Sequence, residues 1–220
     1  MTTFHAVDQA IEAGSVVAVL HPLGESAIAG NRLAIIRDER AGDFAAREAL
    51  LERALGPDRM LKSSELLRAG RLPADGLALV ALVDGEMAGS VRLWHARAGD
   101  CDALLLGPLA VDAQYRSFGI GAALMREAIA RAGSFGHAAI LLVGDEAYYQ
   151  RFGFSAALTS GLDMPGPVDR DRFLALELEP GAIRGQAGVL LATGDFSKGD
   201  FCKGDFCKGD FAKSDAAFAA

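Results

Sequence analysis

The chain has 220 residues, 51% of them hydrophobic and 23% charged, with a net charge of −7. That composition suits one globular core, a domain of about 150 residues with extensions, and the absence of a basic tract removes the electrostatic footprint of non-specific nucleic-acid binding. The apolar runs fall well short of the roughly 20 residues that span a bilayer, and acidic residues stand near the N-terminus where a signal peptide carries lysine or arginine. No nucleic-acid or membrane partner is therefore expected, and a cytoplasmic location is. Cysteines are Cys101, Cys202 and Cys207. An odd count with no Cys-x-x-Cys and no histidine cluster argues against a disulfide framework and against a metal.

Residues 1–30 read as an extension of uncertain structure, within which Ser15–Leu20 could be a strand. Leu33–Arg37 is a short strand of aliphatic and β-branched residues. Asp43 can cap a helix running through Leu55, with Leu50, Leu51, Ala54 and Leu55 on one face and Gly56-Pro57 as the stop. A shorter helix is expected over Ser63–Ala69. Leu77–Val83, Asp84-Gly85 and Glu86–His95 form a β-hairpin, because Asp-Gly supplies the two positive-φ positions of a type I′ turn. Ala103–Val111 is a central strand. A helix over Ala122–Ala132 puts Leu124, Ala128, Ile129 and Ala132 on one stripe. Ala138–Val143, unbroken in its apolar character, is a strand buried on both faces. A short helix, Glu146–Phe152, closes at Gly153. Phe154-Ser155-Ala156 begins another strand, and Phe173–Leu178 is the last.

The stretch Leu104–Ala122 joins the central strand to the start of the next helix through a glycine-punctuated turn. The first N–H groups of a helix lack intrahelical partners and sit at the positive end of its dipole, so a phosphate is favoured there. A dinucleotide fingerprint would need a third glycine at Leu124, and a P-loop would need Gly-Lys-Ser/Thr. Arg116-Ser117-Phe118-Gly119-Ile120-Gly121 instead resembles the Arg/Gln-x-x-Gly-x-Gly/Ala acyl-CoA motif of the GNAT (GCN5-related) N-acetyltransferases. Leu109-Ala110-Val111 before the turn and Tyr149-Gln150-Arg151-Phe152-Gly153-Phe154, which is similar to the family's Tyr-x-x-x-Gly-Phe, follow in matching order. Gly166-Pro167-Val168-Asp169 ahead of Phe173 resembles a bacterial subgroup of predicted acetyltransferases.

The resemblance covers about Asn31 to Leu191. It implies an α/β fold of the GNAT type, a mixed and mostly antiparallel sheet flanked by helices, as a domain over 31–191. Acetyl-CoA would be the co-substrate and an amine the acceptor; a homodimer is compatible with it. It also implies that a bulge near Leu109–Val111 splays the central strand, so that main-chain groups of Leu109, Ala110 and Val111 face the pantetheine. The segment Arg116, Ser117, Phe118, Gly119, Ile120, Gly121 and Ala122 would hold the diphosphate, with the amides of Phe118, Gly119, Gly121 and Ala122 as donors. Phe118 stands where the family often has a basic residue. Tyr149 would protonate the leaving thiolate, and the family register selects it over Tyr148. A general base is also required, because an amine of pKa near 10.4 must lose a proton before attack. His95 and Asp145, both at strand ends, are the candidates. Trp94 reads as core or pocket wall.

Residues 192–220 form a separate tail. Gly-Asp-Phe-x-Lys recurs four times between Gly194 and Lys213, a unit similar to the coil of a pentapeptide-repeat β-helix, although one coil cannot bury its own faces. A flexible tail or a partner-binding one both fit. Beside the enzyme, a non-catalytic acyl-CoA-binding module acting through this tail, and a nucleotide-binding oxidoreductase, are the alternative functions.

Overall fold

A computed structural model describes residues 17–21 and 32–197. Its strands are β1 (Val17–His21), β2 (Arg32–Asp38), β3 (Ala78–Val83), β4 (Glu86–Ala98), β5 (Cys101–Val111), β6 (Ala139–Val143), β7 (Leu162–Asp163), β8 (Phe173–Glu177), β9 (Gly188–Val189) and β10 (Leu191–Ala192). The helices are α1 (Phe44–Leu55), α2 (Ser63–Leu66), α3 (Ile120–Ser134) and α4 (Glu146–Tyr149). One sheet runs in the order β1-β2-β3-β4-β5-β6-β8, with β10 added beside β4; β7 and β9 pair separately. Every pairing in the large sheet is antiparallel except β5 with β6.

Side chains alternate across this sheet with the period of two that a pleated strand imposes. Leu104 and Leu106 of β5, Ile140 and Leu142 of β6 and Leu174 of β8 share one core with Ile120, Leu124, Met125 and Ala128 of α3. Ala103, Leu105, Ala139, Leu141, Phe173 and Ala175 face the other way, against Leu162, Met164, Ile183 and Leu190 of the C-terminal segments. Leu50 and Leu51 of α1 cover Ala110 on the sheet beside this second layer. The β3–β4 hairpin turns where the sequence places it: Asp84 and Gly85 have φ of 52° and 85°.

Three expectations change. Asp43 precedes α1, but its carboxylate makes no cap bond to that helix. It accepts instead from the Arg40 N–H at 2.7 Å and from both ends of the Arg37 guanidinium at 2.6 and 2.9 Å; the charge-assisted fork wins over a single backbone amide. Phe154-Ser155-Ala156 does not start a strand. Ser155 makes one isolated bridge to Ala175, and its hydroxyl then accepts from Ala157 N–H to open a short 3₁₀ turn, as serine side chains do when they compete with a ladder. Helix α3 begins at Ile120, two residues before its apolar stripe suggests, because Gly119 supplies a left-handed cap with φ of 77°.

The paired chain extends past Leu191. After β10, Thr193 N–H donates to His95 O, and Leu72 N–H donates to Asp195 O at 2.8 Å. Arg71 bonds Gly194 O and stacks over the Phe196 ring at 4.3 Å. The remaining copies of the repeat lie outside the described residues. No described helix is long and apolar enough to cross a membrane.

Candidate active site

The site exists because β5 and β6 are hydrogen-bonded over only two registers, Leu104 with Ile140 and Leu105 with Leu141. Beyond them β6 stays with β8 to its end, Val143 opposite Phe173, while β5 continues alone on that edge to Val111. A bulge on the other edge bends β5. Leu106 lies opposite Leu93 and Leu109 opposite Val91, so three steps on β5 match two on β4. The surplus residue falls at Gly107-Pro108, a cis peptide with Gly107 at φ of 130°. Both residue types belong there: proline has no N–H to give a ladder, and glycine tolerates the positive φ. The bulge thus lies just before Leu109–Val111, the segment expected to carry it. Trp94 Nε1 donates to Gly107 O at 2.5 Å, which satisfies a carbonyl the bulge takes out of register and accounts for the burial of Trp94.

The splay opens a cleft of about 860 Å³, walled by Leu106–Val111 of β5, by Leu142–Asp145 with Tyr148 and Tyr149, by Arg116 and Gly121, and by residues between Ala54 and Arg68. At its helix end Ala123 N–H closes the first intrahelical bond onto Gly119 O at 2.9 Å. The amides of Ile120, Gly121 and Ala122 therefore have no acceptor within α3. A Cβ on Gly121 would stand 3.0 Å from the Tyr148 hydroxyl and 3.4 Å from Val111 Cγ2, so the first turn of α3 lies directly against the end of β5.

Of the residues expected to bind co-substrate, Leu109, Ala110, Val111, Arg116 and Gly121 line the cleft together, while Ser117, Phe118, Gly119, Ile120 and Ala122 stand outside its lining. Ile120 is a core side chain. Phe118 packs edge-on against Tyr115, with ring centroids 6.4 Å apart, and its N–H donates to Tyr115 O at 3.4 Å. That amide is engaged in the turn, and the phenylalanine stands there as a core anchor. Ser117 holds a left-handed φ of 71°, a conformation that glycine adopts without strain.

Tyr148 and Tyr149 both reach the cleft, their rings edge to face with centroids 4.9 Å apart. Their environments differ. Tyr148 places its hydroxyl by Gly121 and carries the Arg151 guanidinium 4.0 Å above its ring. Tyr149 packs into the core beside Phe154 and over Gly144, where a Cβ would come within 2.2 Å of its ring. Burial pushes the Tyr149 phenol up to about 12; the neighbouring Tyr148 adds to the shift and the Arg172 charge opposes it.

The two candidate bases separate. Asp145 lines the cleft, but its carboxylate caps α4, accepting from Ala147 N–H at 3.2 Å. His95 does not line it. Its side chain is exposed among Asp75, Gly76, Phe135 and His137, the two imidazole centroids 5.6 Å apart, at the far end of α3 from the glycine turn. Alternation explains this: Trp94 and Ala96 project toward the second core, so His95 projects to the α3 face.

The sequence reading names no residue of the third wall. Arg59, Lys62, Glu65 and Arg68 enter the cleft from the connection between α1 and the turn after α2, and Arg172 enters from the start of β8. Arg68 is buried, with Nη2 donating to Glu65 at 2.9 Å and Ser64 at 3.1 Å, and with a buried Nε that has no partner. Desolvation lowers its pKa from the ordinary arginine value, Glu65 counteracting. No single residue in this segment carries a motif. Only the spacing of cations that fold inward marks it, and that is invisible until the segment is placed.

Among known proteins, a family model described as an acetyltransferase (GNAT) domain matches residues 74–156. The uncharacterized N-acetyltransferase YhbS of Escherichia coli is 31% identical over 162 residues, covering 71% of this chain and 94% of that protein. The crystal structure of that Escherichia coli enzyme in complex with CoA aligns with a TM-score of 0.63 at 32% identity, over 73% of this chain and 89% of its own. A GNAT family acetyltransferase from Brucella melitensis in complex with acetyl-CoA aligns with a TM-score of 0.52 at 29% identity, over 67% of this chain and 89% of its own.

Proposed function

Because the chain belongs to the GNAT acetyltransferase family, we propose that it transfers the acetyl group of acetyl-CoA to a primary amine by direct attack in a ternary complex. The observation that carries this reading is the cleft itself, lined together by the unpaired edge of β5, by Gly121 of the first turn of α3 and by Tyr149. Two similar structures hold CoA and acetyl-CoA, which supports the same co-substrate here.

Each group has a chemical task. The N–H groups of Ile120, Gly121 and Ala122, with Arg116 beside them, bind the diphosphate. Main-chain groups of Leu109–Val111 line the pantetheine and polarise the thioester carbonyl, a contribution worth a few kcal/mol (roughly 3) where a donor is preorganised. The neutral amine attacks that carbonyl; the C–S bond breaks and the sulfur takes a proton from Tyr149. A phenol shifted to about 12 is fully protonated at neutral pH, so the proton is always present. It is also a weak acid toward a thiolate of pKa near 8.5, so the step needs Arg172 to favour the phenolate and the proton shed by the acylated nitrogen to restore the phenol.

Free-thiol release from acetyl-CoA across a panel of primary amines tests the proposal. Amine-dependent release is expected; CoA binding without release on any amine would overturn it.

A further inference from the structure

The cleft has two ends, and β5 measures the distance between them. Val111 touches the first turn of α3, while Gly107 lies four residues earlier across the bulge, at most about 13 Å away at the roughly 3.3 Å per residue of an extended strand. Arg68 stands at that second end: its Nη1 is 3.0 Å from the point where a Cβ on Gly107 would lie. A charged group this far inside a protein is ordinarily paired through all its donors. Arg68 is 7% exposed, yet Glu65 and Ser64 engage only Nη2, and Nε is buried without a partner.

The charge around it is unusual for this chain. The molecule carries a net −7, but the cleft is lined by Arg59, Lys62, Arg68, Arg116 and Arg172 against Glu65 and Asp145. Arg116 sits at the helix end with the free amides. The Arg59 charge disfavours that of Arg68; Arg59 itself is paired through Nη2 with Glu48 at 2.5 Å, and only its buried Nε lacks a partner. A desolvated guanidinium with unused donors, backed by further cations in the same lining, makes an anion site, and a planar carboxylate matches the fork that Arg68 presents.

We infer that the amine acceptor carries a carboxylate, which Arg68 receives at the bulge end of the cleft with Arg59 and Lys62 beside it. The inference rests on the acyl-transfer reading for the identity of the ligand, and Arg68 is its specificity residue. Glu65, held against Arg68, then provides the matching contact for the ammonium of the same acceptor before it is deprotonated. The competing occupant of these cations is a phosphate of the co-substrate.

The test compares amino acids with their carboxamides as acceptors, both by thiol release and by calorimetric binding to the CoA-loaded protein. The parent protein should favour the carboxylate by about 10²-fold in kcat/KM, since a site built around a charged partner rejects the analogue that lacks it. In Arg68→Met that preference should vanish through a higher KM for the amino acid while CoA affinity holds, and Arg68→Lys should retain part of it. Equal use of acid and amide by the parent protein overturns the inference whether or not the variants fold. Weaker CoA binding in a folded Arg68→Met overturns it in favour of a co-substrate phosphate. Selective binding of amino acids without thiol release would leave the anion site standing and remove the acyl-transfer reading instead.

Discussion

The two ends of the cleft are made of different material. At the helix end the proposed recognition comes from backbone: the amides of the first turn of α3, where Gly121 lies against Val111, with one cationic side chain, Arg116, in the lining. The bulge end is met by a side chain, Arg68, on a wall that also carries Arg59, Lys62 and Glu65, and Arg172 lines the cleft from a separate segment. Backbone recognition fixes what every relative of such a fold must bind in common, because it tolerates sequence change outside the glycines. Side-chain recognition can be rewritten residue by residue, so the proposed reading assigns substrate choice to the bulge end.

The largest effect should come from the hydroxyl between the two ends. Tyr149→Phe keeps the packed ring and removes the proton source, and turnover should fall roughly 10²-fold or more with CoA affinity little changed. Tyr148→Phe, whose hydroxyl lies by Gly121, should cost less in turnover and more in CoA binding. Steady-state rates and CoA titrations on the pair decide it, and a larger turnover loss from Tyr148→Phe would reverse the assignment. Between neutral pH and about pH 10 the rate should show no fall from loss of the Tyr149 proton, because burial holds the phenol at about 12.

The helix end is next. Gly121→Val puts a branched side chain against the Tyr148 hydroxyl and Val111, within the cleft, and CoA affinity should drop at least about tenfold with the fold retained. Gly119 is the poorer probe, since its φ of 77° makes any β-branched replacement strained in its own right. Gly144→Ala should separate chemistry from binding. The new Cβ meets the Tyr149 ring at 2.2 Å and must displace it, so turnover should fall about tenfold while CoA still binds; the crowding itself should cost about 1–3 kcal/mol in a thermal or urea melt. If both glycine variants change only CoA affinity, the division of labour along the cleft is wrong.

These predictions draw unequally on the sequence. The hairpin, the central strand, α3 and the glycine turn were legible because each is local: Asp84-Gly85 dictates its turn, and Gly119 its helix start. Which amides stay free was not, since Phe118 N–H is taken by Tyr115 O, and nothing in the motif says so. His95 was misplaced for a related reason. Its nearness to the site depends on which face of β4 it occupies, and that is set by Trp94 packing into the opposite core. Arg68 was missed outright, because its role comes from lying over Gly107, 39 positions along the chain.

The smallest prediction concerns how α1 is held. Helix α1 supplies Ala54 and Leu55 to the cleft lining and packs on Ala110, and the turn leading into it is latched by Asp43 on Arg37. The Arg37 hydrogen bonds lower the Asp43 pKa from 3.8 to about 2. In the unfolded chain the carboxyl returns toward its ordinary value and binds more protons than the folded form between those limits. Its contribution is therefore complete above about pH 4 and is lost as the pH falls through about 2. Solvent screening keeps it modest, about 1 kcal/mol or less for a pair at the molecular surface. Asp43→Asn should remove that share of the acid dependence, so that parent and variant differ in urea stability at pH 6 and converge near pH 2. CoA affinity at neutral pH should not move, because Asp43 is bonded to Arg37 and Arg40 and to none of the groups at the helix end. A variant that instead lost CoA binding would mean that α1 supports both ends of the cleft, and the contrast between them would not hold.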